Sequence, residues 1–170
     1  LKSYRNLGYI PADLNVDPKS SLFLAANIYN QAVSITLEYA YDDACLAVLA
    51  KNLGKLNDSD YFSKRALNYR NVFDKKTGFM RGKSFTGPWM NAGDFNPVTN
   101  YAYYAEGNAW QYTWSVMHDI KGLINLMEGR DAFVKKLDEL FKVSEQAATN
   151  EFFAADIAGM IGQYAHGNEP

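Results

Sequence analysis

Between Ser34 and Leu53, large apolar residues recur at three- and four-residue spacing: Ile35, Tyr39, Cys45 or Leu46, Leu49 and Leu53. An α-helix turns once in about 3.6 residues, so this spacing lines one face and predicts an amphipathic helix closed by Gly54. A second helix is expected from the acceptor-rich Asn57-Asp58-Ser59-Asp60 through Tyr61, Phe62, Arg65, Ala66, Tyr69 and Val72. The short link between them implies an antiparallel hairpin. A third helix fits Glu106 to Glu128, stopped by Gly129, and a fourth fits Asp131 to Phe141 with Phe133, Val134, Leu137, Leu140 and Phe141 on one face. Elsewhere the pattern breaks. Leu7 to Lys19 is rich in turn residues, Leu22 to Tyr29 is too short to assign as strand or helix, and Asp74 to Gly78 reads as a tight turn.

Two hairpins joined by a long loop imply an all-α architecture. The loop from Gly82 to Asn100 holds Gly82, Gly87, Pro88, Gly93 and Pro97, and is too long for a mere connection. Its Phe85, Trp89 and Phe95 suit either a ligand surface or plugs over the core beneath. A tandem helical repeat has no place for such a loop, although Leu53-Gly54 followed by Tyr61, Ala66 and Tyr69 is similar to tetratricopeptide spacing. A closed toroid of helical hairpins does, at its rim. The segment past Ser144 turns small and polar and is expected to lead into further structure, so the chain reads as a piece incomplete at both ends.

Composition narrows the function. A net charge of -2 offers phosphate no basic field, which argues against nucleic acid, and no apolar run is long enough to span a membrane. The 12 Tyr, 10 Phe and 3 Trp fit either a large core or the faces of sugars. Cys45 is alone, which excludes an internal disulfide; it is expected to be a small buried hydrophobe.

The densest polar and aromatic string is Tyr104-Ala-Glu-Gly-Asn-Ala-Trp-Gln-Tyr-Thr-Trp114. If the third helix begins at Glu106, then Glu106, Trp110 and Trp114 share a face and the carboxyl lies over indole surface. That environment raises a carboxyl pKa, as a general acid requires, whereas the positive helix end opposes it. The plainer role for Glu106 is a first-turn acid complementing the helix dipole. Asn108 and Gln111 suit sugar hydroxyls or loop backbone equally. A second cluster, Gln163-Tyr-Ala-His-Gly-Asn-Glu-Pro170, offers carboxylate and amide oxygens appropriate to calcium rather than zinc. His166 fits a sugar contact or a structural bond; His118, read as mid-helix, is expected to be structural. Adjacent residues Asp42 and Asp43 cannot face one substrate, so one is expected in solvent and the other holding a loop.

In order and rough spacing, five strings resemble glycoside hydrolase family 92: Leu37-Glu-Tyr-Ala-Tyr-Asp-Asp43, Thr77-Gly-Phe-Met-Arg81, Glu106-Gly-Asn-Ala-Trp-Gln-Tyr-Thr-Trp114, His118-Asp-Ile-Lys-Gly122 and Ile161-Gly-Gln-Tyr-Ala-His-Gly-Asn-Glu-Pro170. The resemblance implies that residues 1–170 are part of a single (α/α)6-barrel catalytic domain, packed on an N-terminal β-sandwich domain. The implied enzyme is a calcium-dependent exo-α-mannosidase, periplasmic or extracellular, acting on glycans with inversion; α-1,2-linked mannose of N-glycans is among its implied substrates. It implies Glu106 as general acid, Trp110 and His166 at the sugar, and Asn168 and Glu169 at calcium. The second carboxylate of an inverting pair stands roughly 6.5–9.5 Å from the acid. In the family it comes from a string beyond His-Gly-Asn-Glu-Pro, so this piece alone is expected to be inactive. The alternative is a noncatalytic helical-repeat interaction module.

Overall fold

The computed structural model describes residues 2–13, 31–99, 103–144 and 160–165. Helix α1 (Lys2–Leu7) precedes the long α2 (Ala32–Asn52), α3 (Leu56–Arg65) and a 3-10 helix over Ala66–Val72. A small antiparallel hairpin follows, β1 (Phe73–Asp74) with β2 (Phe79–Met80), and then α4 (Ala109–Tyr112), α5 (Ile120–Leu126) and α6 (Arg130–Leu140). The fold is mainly helical, but the hairpin departs from the all-α expectation. Asp74 to Gly78 is its turn, as the sequence implies, with Gly78 at φ 72°. The unassigned Leu22–Tyr29 lies outside the described residues.

The first two long helices meet as foreseen. Ser59 donates to Ala47 O at 3.0 Å and Arg65 Nε to Asp43 Oδ2 at 3.0 Å, a reversed order of contacts that makes the pair antiparallel. The face that α2 buries, however, is not the expected one. Val33, Leu37, Ala40, Ala47 and Ala50 point inward with Thr36 and Asp43, while Leu46, Leu49 and Leu53 are exposed and Cys45 is exposed rather than buried. Small side chains let α3 and the 3-10 helix approach closely. Large apolar residues therefore mark the wrong stripe of a helix that is apolar on two sides. Asp42 faces solvent, whereas Asp43 is buried and also accepts from Tyr4 Oη at 3.0 Å, so it anchors α1, an element the hydrophobic pattern did not reveal.

The third predicted helix is in fact two helices. Asn108 caps α4; Asp119 caps α5, its Oδ1 accepting from Gly122 N at 2.9 Å. Asp119 Oδ2 meanwhile accepts from Tyr69 Oη at 2.7 Å and Arg70 Nη2 at 3.1 Å, so the core side holds the chain in the non-helical conformation of a cap. A Cβ on Gly122 would collide with that carboxylate and with Tyr69 Oη. His118 is thus in a turn, not mid-helix, where Nε2 donates to Ala66 O at 2.9 Å in a structural role. Helix α6 matches the fourth prediction to within one residue at each end.

Candidate active site

Glu106 lies in the loop before α4, and its surroundings are built from three directions. Ala105 N donates to Ser34 Oγ of α2 at 2.8 Å, Tyr112 Oη donates to Ala105 O at 2.6 Å, and Tyr104 Oη donates to Met80 O of β2 at 2.7 Å. Within this frame Glu106 takes φ 46°, a left-handed backbone that carries a steric cost for any residue with a Cβ. Its side chain is exposed. The expected face shared with Trp110 and Trp114 therefore does not form: Glu106 precedes the cap Asn108, and Trp114 follows the last residue of α4. Tyr112, which holds Ala105 in place, lies within reach of the Glu106 charge. Burial pushes its phenol up, and the charges of Glu38 and Glu106 add to this against an opposing hydrogen bond with Ser34.

Trp110 packs behind the loop. It is only 6% exposed, with the Phe79 ring edge-on at 4.8 Å and the Lys136 ammonium 4.9 Å from its ring centre. Lys136 also stands 3.3 Å over Phe79, and its burial pulls the pKa down to about 8. The Trp110 indole Nε1 is buried without a hydrogen-bond acceptor among the described residues. Trp114 turns to Phe133 at 5.4 Å, also with its Nε1 unpaired.

The amides Asn108 and Gln111 serve the protein itself. Asn108 Oδ1 accepts from Trp110 N at 2.9 Å, and Gln111 Oε1 accepts from Asn108 N at 2.6 Å, a reciprocal cap. Gln111 Nε2 then reaches Gln163 O at 2.7 Å, and Asn108 Nδ2 reaches Gln163 Oε1 at 2.9 Å. In the sequence Gln163 stood in the cluster of oxygen and imidazole groups with no partner assigned to it, and Asn108 was not read as a cap. The Asn-x-x-Gln spacing of a capping box was the available signal. In the long loop, Arg81 lies 4.2 Å from the Phe95 ring centre and 5.8 Å from that of Trp89, so these aromatics close over a buried cation. Phe85 is exposed.

His166, Asn168 and Glu169 lie outside the described residues. Among the described residues no group of three His, Cys, Asp or Glu side chains could hold a metal ion. No described helix is long and apolar enough to cross a membrane.

The glycosyl hydrolase family 92 catalytic domain matches residues 1–170. The family GH92 α-mannosidase BT3965 from Bacteroides thetaiotaomicron, solved in complex with mannoimidazole, aligns with TM-score 0.78 at 39% identity, over 99% of this chain and 21% of that one. The family GH92 inverting mannosidase BT2199 from the same species aligns with TM-score 0.72 at 32% identity, over 99% of this chain and 22% of that one. A curated relative, an uncharacterized secreted glycosidase from Arthroderma benhamiae, is 34% identical over 161 residues, covering 82% of this chain and 20% of its own length. The chain thus spans about a fifth of the length of these relatives. A family match across residues 1–170, together with solved relatives of the same fold at 32% and 39% identity, places the chain in glycosyl hydrolase family 92.

Proposed function

We propose that the protein containing this chain is an exo-acting α-mannosidase that removes terminal mannose from glycans with inversion. In this reading residues 1–170 are part of one (α/α)6-barrel domain that packs on a β-sandwich domain in a secreted or periplasmic enzyme. Glu106 is the general acid, protonating the departing glycosidic oxygen while a water attacks the opposite face of the sugar. The carboxylate that activates that water comes from outside this chain.

The observation that carries the reading is the Glu106 loop. A non-glycine residue is held in a strained backbone conformation by the hydrogen bonds that its neighbours Tyr104 and Ala105 make to three other elements, and the residue is exposed. The helical face that would have set Trp110 beside the Glu106 carboxyl does not form. Trp110 is kept as a candidate sugar contact on the family match, although it is only 6% exposed. His166 is the second candidate sugar contact.

The donor types of Asn168 and Glu169, one amide and one carboxylate oxygen, fit a calcium ion. When bound, calcium would hold adjacent sugar hydroxyls and favour ring distortion.

The test uses the full-length protein. Glu106→Gln should cost roughly 10²- to 10⁴-fold in kcat on an alkyl α-mannoside while mannose-like imino sugars still bind. Chelation of calcium should abolish the wild-type activity. A wild-type rate from Glu106→Gln would remove this residue from the mechanism.

A further inference from the structure

The two strings assigned to chemistry are far apart in sequence, and a closed ring of side-chain amides joins them. We propose that Gln163 is a positioning residue for hydrolysis, clamping the chain that leads to His166 against the loop that carries Glu106. The proposal rests on Glu106 being the acid.

Gln163 is fully buried, yet every hydrogen-bonding group it has is used, and the partners lie on separate parts of the chain. Its Oε1 accepts from Asn108 Nδ2 at 2.9 Å, and its Nε2 donates to Ser144 O at 3.1 Å. Its backbone O accepts from Gln111 Nε2 at 2.7 Å, and its backbone N donates to Leu140 O at 2.7 Å. Gln111 Oε1 returns to Asn108 N, which closes the ring, while Asn108 Nδ2 also reaches Val98 O at 3.3 Å. Asn108 stands two residues after Glu106 and Gln163 three before His166.

An apolar contact here would tolerate sliding, because dispersion has little directionality. The amide ring does not. Each member presents an acceptor and a donor at fixed separation, so a shift in register leaves a buried polar group unpaired. The turn adds a second constraint: Gly162 takes φ 63°, and a Cβ there would strike Leu140 O and the backbone of Phe141. The Ile161–Tyr164 turn is therefore seated against the end of α6 without slack. Reaction rates fall steeply when reacting groups are misplaced by about 1 Å, which is the error such a clamp prevents.

The experiment uses the full-length enzyme and two substrates, methyl α-mannoside, whose leaving group needs a proton, and 2,4-dinitrophenyl α-mannoside, whose leaving group does not. Gln163→Met keeps side-chain length and removes the amide. It should lower kcat on the methyl mannoside roughly tenfold to a hundredfold, and lower it far less on the dinitrophenyl substrate. Added to Glu106→Gln, it should cost little more than Glu106→Gln alone, because both changes remove the same step. Equal losses on both substrates, a fully additive double variant or a wild-type rate would each overturn the clamp. If Gln163→Met lowers the melting temperature severely, Gln111→Met opens the ring from its half-buried side. A loss independent of leaving group in that variant counts equally against the proposal. Glu106→Gln retaining full activity on the methyl mannoside defeats the underlying assignment instead, whatever Gln163→Met does.

Discussion

At the scale of single residues, the structure separates polar groups that hold the fold from those left for chemistry. Arg81 and Asp74 form a buried ion pair at 2.7 Å across the hairpin. Burial alone would raise the Asp74 pKa, but Arg81, the Lys76 N–H and the Thr77 hydroxyl outweigh it and hold the carboxyl below its ordinary value. A depressed carboxyl pKa stabilises the fold at pH values above that of the unfolded chain, about 3.9, and the contribution is lost as pH falls through the lower folded value. Asp74→Asn leaves the guanidinium buried without its counter-charge and should destabilise the domain by about 3 kcal/mol at pH 7. The difference from wild type in urea titrations should shrink as pH falls below about 4, and a pH-independent difference would refute the ion-pair account. The division of Asp42 and Asp43 between solvent and core was legible, since helical neighbours cannot share a target. The roles of Asn108 and Gln111 were not: an amide that binds a hydroxyl and one that caps a backbone are the same residue in a sequence, and only the partner decides.

At the scale of elements, existence was legible and facing was not. Helices α2 and α6 appear close to their expected spans because long periodic segments leave few alternatives, whereas the second expected helix, through Val72, is α-helical only to Arg65 and continues as a 3-10 helix. The buried side of α2 was misassigned because close packing against α3 selects alanine, whose small size weakens its hydrophobic signal. Leu37 is 2% exposed and Leu49 is 54% exposed. Leu37→Ala should therefore cost roughly 2–5 kcal/mol in the isolated chain, whereas Leu49→Ala should cost little. Comparable losses in thermal melts would restore the stripe of large residues as the buried face. The break between α4 and α5 was hidden for a different reason. Its determinants, Tyr69 and Arg70 on Asp119, are tertiary, and no local pattern announces them.

At the scale of the whole molecule, the chain carries the proposed acid and is a fifth of the length of its relatives. The isolated chain should turn over no mannoside above background even with calcium present, because an inverting reaction needs a second carboxylate. Robust calcium-dependent turnover by residues 1–170 would show that the base lies within them. Leu46, Val48, Leu49, Leu53 and Leu56 are exposed large apolar side chains around the α2–α3 link. The amide ring has a kinetic consequence. Its Asn108–Gln163 bond links residues 55 apart in sequence, so we expect it to close after the local helices and to open before them. In the full-length enzyme, low urea should silence catalysis while the far-ultraviolet circular dichroism of the helices is still intact. Coincident loss of both signals would mean that the ring melts only with the domain. If catalysis is lost first, shelf life as a catalyst is set by the amide contacts rather than by the helical scaffold.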